Sequence, residues 1–117
     1  MGPVSDCIFC KIAKKEIPSR IVHEDSELVA FHDINPQAPT HLVLIPKTHL
    51  ERVSELTPET APLAGKLVLT ANRLAKQFGF SENGYRLVIN CNRDGGQTVF
   101  HLHLHLLGGR SFHWPPG

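Results

Sequence analysis

The alternating run His101-Leu102-His103-Leu104-His105 constrains this chain more than any other stretch. Side chains alternate across the two faces of a strand, so the run predicts a strand with one imidazole face and one apolar face. Its apolar flanks extend the predicted strand over 99–107. Phe100, Leu102, Leu104 and Leu106 then share the apolar face, and His101, His103 and His105 the other. Such a strand needs a second layer to cover its leucines. Leu63, Leu67, Ala71, Leu74 and Phe78 recur at helical spacing and supply that layer as one long helix. It starts either at Thr57-Pro58 or, because Pro62 follows so closely, at Thr60, and it stops at Gly79.

Four further strands are predicted, over 21–23, 28–34, 42–45 and 85–90. The stretch Leu42-Val43-Leu44-Ile45 is continuously apolar and closed by Pro46, which reads as a buried strand. Tyr85, Leu87 and Ile89 share one face of the next, and a turn follows over 93–96. A short N-terminal helix over 7–15 stops before Pro18. The expectation is an α+β fold: an antiparallel sheet of about five strands, one long helix and a short N-terminal helix. A length of 117 residues suits one domain, 1–117. A core of that size gains by pairing with a second copy.

Twelve basic against eleven acidic residues leave a net charge of +1, which excludes a protein that tracks a nucleic acid polymer by charge. No apolar run has the length of a membrane span. The first residues, Met1 to Asp6, carry no basic region followed by an apolar stretch, and the three cysteines are odd in number. Both features predict a cytoplasmic, reducing location with free or metal-bound thiols.

Three histidines on one strand face admit three uses. The first is a solvated polar face. The second is a metal site, although the outer two alpha carbons stand roughly 13 Å apart, a long reach for shared ligation. The third is nucleophilic catalysis, because a partly neutral imidazole attacks phosphorus and its neighbours hold the phosphate or protonate a leaving group. His103 is flanked on both sides and is the natural nucleophile. Asp94-Gly95-Gly96-Gln97-Thr98 precedes it, offering glycine backbone, an amide and a hydroxyl to an anion. Taken alone, Asp33 before Asn35-Pro36 is a turn carboxylate, Asn90 a turn former, Phe9 and Phe31 core residues, and His41 a hydrogen-bonded core histidine. Trp114, followed by two prolines, is a rigid anchor. Cys7-Ile8-Phe9-Cys10 has metal-ligand spacing, but it also fits a redox pair or two buried thiols.

The segment from Gln97 to Leu107 resembles the signature of the histidine triad superfamily. Ile8-Phe9, Ala30-Phe31-His32-Asp33-Ile34, Pro36-Gln37-Ala38-Pro39-Thr40-His41 and the tail Gly108 to Gly117 resemble its nucleoside phosphoramidase (Hint) branch. The resemblance implies hydrolysis of purine nucleoside 5′-phosphoramidates, AMP or GMP conjugates, through a nucleotidyl-histidine on His103. It places His105 on the phosphate, with His101 and His41 completing the cluster. Asp33 takes the ribose hydroxyls, and Ile34, Phe9 and Phe31 surround sugar and base. Asn90, Gly96, Gln97 and Thr98 hold the phosphate. It further implies a homodimer whose tail, 108–117 with Trp114, reaches the partner's site.

Catalysis by this route needs no cofactor. Some bacterial-type members resembling this chain carry a structural zinc on such a cysteine pair with two histidines, which here implies Cys7, Cys10, His49 and His101. Thr98 departs from the serine common at its position. Two other functions stay open: a nucleotide-binding scaffold with incidental hydrolysis, and a metal-dependent hydrolase using the histidine cluster as ligands.

Overall fold

The computed structural model describes residues 6–117; residues 1–5, most of the stretch read above for a leader, lie outside the described residues. Strand β3, Thr40–Pro46, runs through the middle of a five-stranded sheet, and its apolar run is buried throughout. β2 (Leu28–His32) pairs with one edge of β3 and β5 (Leu104–Gly108) with the other. β1 (Ile21–Glu24) and β4 (Tyr85–Val88) are the outer strands, giving the order β1-β2-β3-β5-β4 with every pair antiparallel.

Strand parity sorts the sheet into two unlike faces. Leu28, Ala30, Leu42, Leu44, Leu104 and Leu106 face helix α2 (Ala61–Gln77) and meet its Leu67, Ala71 and Leu74. Each leucine buried there contributes about 1.5–3 kcal/mol. Val29, Phe31, Val43 and Ile45 face the other way and pack with Ile12 of helix α1 (Ile8–Ala13). The histidines of β3 and β5 fall on this α1 face. No helix among the described residues is long and apolar enough to cross a membrane.

Thr60 is the cap residue of α2 and Pro62 stands in its first turn, so the later of the two predicted starts holds. Pro58 belongs to the turn before it, where Thr57 accepts the amide of Ala61. Gly79 follows the helix in the left-handed region at φ +86°. The N-terminal helix is shorter than predicted, because Cys7 caps it and Lys15 turns left-handed at φ 61°. The predicted turn over 93–96 is a single helical turn, α3 (Asn92–Gly95).

The histidine strand needs the largest correction. Its ladder begins at Leu104 rather than at residue 99, because the preceding backbone pairs elsewhere: the amide of Leu102 donates to the carbonyl of Leu50 at 2.6 Å. Parity therefore does not extend to Phe100, which is 40% exposed beneath the guanidinium of Arg52 instead of buried on α2. Nor is the imidazole face open to solvent. His101 is 0% exposed and His103 5%, with the Phe9 ring of α1 edge-on to both.

β5 ends at Gly108, opposite Thr40 on one side and Tyr85 on the other. A Cβ there would lie within the Phe80 ring, which is itself buried in the core. Gly108→Ala should therefore lower stability by about 1–3 kcal/mol through overpacking. Chemical denaturation reads this as a lower midpoint; an unchanged midpoint would show that the ring swings aside freely.

Candidate active site

His41 on β3 stands opposite Leu107 of β5, and Val43 opposite His105, so His41 and His105 are diagonal neighbours on one face. Their rings meet, with His41 Nε2 2.9 Å from His105 Nδ1. Asp33, just beyond β2, brings Oδ2 to 3.4 Å from His41 Nε2, while its Oδ1 accepts the amide of Asn35 at 2.8 Å. His103 packs edge-on against His105, with ring centroids 5.0 Å apart. Phe9 lies 5.0 Å from His103 and 5.5 Å from Phe31, forming an aromatic wall over the cluster. Ile34 projects at the rim, 99% exposed.

The hydrogen bonds assign the ring protons. His103 Nδ1–H donates to the carbonyl of His101 at 2.7 Å, which leaves Nε2 a bare lone pair with no protein partner among the described residues. His41 Nδ1 accepts the amide of Gln37 at 3.0 Å, so its proton sits on Nε2 and points at His105 Nδ1 and Asp33. His105 accepts at Nδ1 and therefore carries its own proton on Nε2. Burial holds all three rings neutral. It lowers His103 and His41 against the pull of Asp33, and with the neighbouring imidazoles it pushes His105 down to about 4. The cluster thus sets a neutral nucleophilic nitrogen beside a neutral N–H donor.

The loop before the histidines is built around Gln97. Its amide nitrogen donates to the carbonyls of Glu51 and Val99, and its oxygen accepts the amide of Asn92. The side chain read from sequence as a phosphate contact is occupied by backbone, so Gln97 shapes the loop. Gly96, in the left-handed region at φ +84°, and Thr98 are exposed on that loop, and Asn90 is half-buried beyond the end of β4. Trp114 is 83% exposed at the far end of the tail.

Two groups of possible metal ligands arise among the described residues, and their outer partners separate them. Cys7, Cys10, His49 and His101 bring one donor atom each within 4.8 Å of one another. Cys10 Sγ is 3.2 Å from His49 Nδ1 and 3.5 Å from His101 Nδ1, Cys7 Sγ is 3.4 Å from His101 Nδ1, and the two Nδ1 atoms are 3.1 Å apart. A tetrahedral zinc, with bonds of about 2.0 Å to nitrogen and 2.3 Å to sulfur, sets its ligand atoms roughly 3.3–3.7 Å apart. His101 Nε2–H donates to the carbonyl of Pro46 at 2.8 Å, so Nδ1 is unprotonated and aimed at the thiols, as a metal-binding histidine requires. Burial and the neighbouring Cys7 push the Cys10 thiol up to about 11, so a bare thiolate is unfavourable there without a compensating cation. The donor set fits a closed zinc site.

Asp33, His41 and His105 also bring donors within 4.8 Å. Here the second nitrogen of His41 faces a backbone N–H, so ligation through Nε2 would require an imidazolate. That chemistry argues against a metal-dependent hydrolase built on this cluster.

Sequence reasoning assigned no role to Gln37 or Arg110, although both stand in stretches it singled out. Gln37 acts through its amide, and Arg110 through the carbonyl of Gln37.

The HIT domain model matches residues 14–112. The purine nucleoside phosphoramidase of Escherichia coli is 48% identical over 90% of this chain and 88% of its own length. An uncharacterized HIT-like protein of Synechocystis is 54% identical over 96% and 97%. The crystal structure of a HIT family hydrolase from Legionella pneumophila superposes with a TM-score of 0.94 at 52% identity, covering 96% of this chain and all of that one. The match begins just beyond the first helix and runs through the histidines into the tail, and the chain belongs to the HIT domain family.

Proposed function

We propose that the chain hydrolyses the P–N bond of purine nucleoside 5′-phosphoramidates of the AMP–amine or AMP–lysine type. The observation that carries this reading is the bond from His103 Nδ1 to the His101 carbonyl, which leaves Nε2 free to attack. Nε2 forms a bond to the α-phosphorus as the P–N bond breaks, and the leaving nitrogen takes a proton from water to depart as the neutral amine. Water then cleaves the nucleotidyl-histidine, releasing the nucleoside monophosphate and restoring His103. His105 Nε2–H donates to the phosphate; Gly96, Thr98 and Asn90 lie on the loop and strand end that flank it. Asp33 accepts the ribose hydroxyls, and exposed Ile34, with Phe9 and Phe31, covers sugar and base. The name of the Escherichia coli relative supports the substrate class.

The exposed Trp114 suits a homodimer in which each tail borders the partner's leaving-group side. The unpaired thiols of Cys7, Cys10 and Cys91 suit a cytoplasmic location.

His103→Ala should retain nucleotide binding and lose all but a few per cent of turnover, since the covalent step has no other nucleophile. Intact-mass measurement of wild-type protein quenched during turnover should show a nucleotide adduct. An active His103→Ala variant would contradict the route, and so would turnover that never yields an adduct. If Asp33 takes the ribose hydroxyls, a 2′-deoxy substrate leaves a buried acceptor short of a partner. That costs about 1–3 kcal/mol, or roughly 5- to 150-fold in kcat/KM. Equal values for the two sugars would remove Asp33 from the ribose site.

A structural zinc on Cys7, Cys10, His49 and His101 belongs to the same proposal. The metal ties α1 to the segment before β5 and leaves the chemistry to His103. Elemental analysis should find about one zinc per chain. Cys10→Ser should lose it with a fall in Tm of at least about 5 °C. Metal-free wild-type protein from zinc-supplemented cells, with intact thiols, would exclude the site.

A further inference from the structure

Among the described residues, the tail reaches the catalytic cluster by way of Arg110 and Gln37. Arg110 Nε and Nη2 both donate to the carbonyl of Gln37, at 3.1 and 3.0 Å. The guanidinium is itself held: Nη1 donates to the carbonyl of Ser111, and its plane lies 4.1 Å from the Phe112 ring centroid. The backbone at Gly109 presses so closely on Pro39 that a Cβ there would meet its ring at 2.9 Å. Gln37 is fixed from its other end too, because its side-chain amide donates to the carbonyl of Asn35 at 3.0 Å.

What Gln37 does with this rigidity is donate its backbone N–H to His41 Nδ1. With that donor in place, His41 carries its proton on Nε2, and His105 must accept at Nδ1 and keep its proton on Nε2. Without it, only the Asp33 carboxylate, 3.4 Å from Nε2, still favours a proton there, and the Nδ1–H form of His41 gains population. The 2.9 Å contact then survives only if His105 donates from Nδ1, which leaves a second bare nitrogen where the substrate's phosphate oxygens need a donor. An anion facing two lone pairs in a buried site is repelled.

We propose that Arg110 is a positioning residue that holds the Gln37 amide on His41 and so sets the ring tautomers of His41 and His105. The catalytic consequence rests on the hydrolase reading above; the tautomer assignment does not. Arg86 provides the comparison. It caps the carbonyl of His113 and lies 5.1 Å from the Phe112 ring, so it anchors the same tail without touching Gln37.

The test uses full-length, metal-replete protein with ¹⁵N-labelled histidine, and reads ring tautomers by long-range ¹H–¹⁵N correlation at neutral pH. Wild type should show His41 and His105 both protonated at Nε2. Arg110→Met keeps the stem length and the Phe112 contact but no donor. It should shift His41 towards Nδ1–H and lower kcat/KM on a model adenosine phosphoramidate roughly tenfold to a hundredfold, with a raised KM because the anionic substrate meets the same repulsion on binding. Arg110→Lys, with one donor, should fall between the two and decides the matter if Arg110→Met does not fold. Arg86→Gln should keep wild-type tautomers. Wild-type tautomers in both Arg110 variants, or the same shift in Arg86→Gln, overturns the proposal. A wild-type protein that fails to turn over any phosphoramidate sinks the hydrolase reading alone, since the tautomers are read without substrate.

Discussion

The hydrogen bond from His103 Nδ1 to the His101 carbonyl is the contact on which the site depends, and it exists because His101 is immobile. That residue is held through three separate atoms. Its Nε2–H is tied to Pro46 at the end of β3, its Nδ1 is turned to the cysteines of α1, and its carbonyl orients His103. Loosening any of them shifts the acceptor that holds the neighbouring ring. The backbone bond between Leu102 and Leu50 completes the clamp. An irregular stretch just ahead of a regular strand is thereby bonded to the 46–50 segment through side chain and backbone alike.

Burial sets the chemistry of these histidines, and the partner of each second nitrogen sets their roles. Five imidazoles crowd the α1 side, and desolvation keeps His41, His101, His103 and His105 from charging. Rings of the same type then diverge by tautomer. His101 donates from Nε2 and aims a lone pair at sulfur. His103 donates from Nδ1 and keeps a free lone pair on Nε2. His41 accepts from backbone and hands a proton towards His105. One residue type offers a lone pair to sulfur, a free lone pair and an N–H donor because the surrounding carbonyls and amides are placed differently.

Much of the fold was legible because two periodicities are strong in this sequence. Alternation placed Leu104 and Leu106 against α2 and His105 away from it, and helical spacing found Leu67, Ala71 and Leu74. Alternation failed at Phe100 because period-two reasoning assumes a ladder, and the backbone there bonds to the 49–50 segment. At the site, residue type marked His103 and the cysteine pair, while Asp33 was marked only by family resemblance. Family resemblance, rather than spacing, brought His49 and His101 to the cysteines. The three backbone bonds of the Gln97 side chain were not legible, because an amide beside glycines suggests a ligand contact. Contacts made through the main chain, such as those of Gln37, leave no mark in side-chain chemistry.

The order of the strands in space differs from their order along the chain. β5 is the last strand made, yet it is inserted between β3 and β4. Until it arrives, β3 offers a bare edge and β4 has no neighbour in the sheet. Cys7 and His101, 94 residues apart, cannot meet before then either. The first strands can pair before β5 is made, but α2 then has only part of a sheet to cover. Folding is therefore completed only when β5 inserts, which closes the sheet and brings Cys7 to His101. A chain that stops short of β5 has an open edge prone to pairing with other chains and no chemistry to offer.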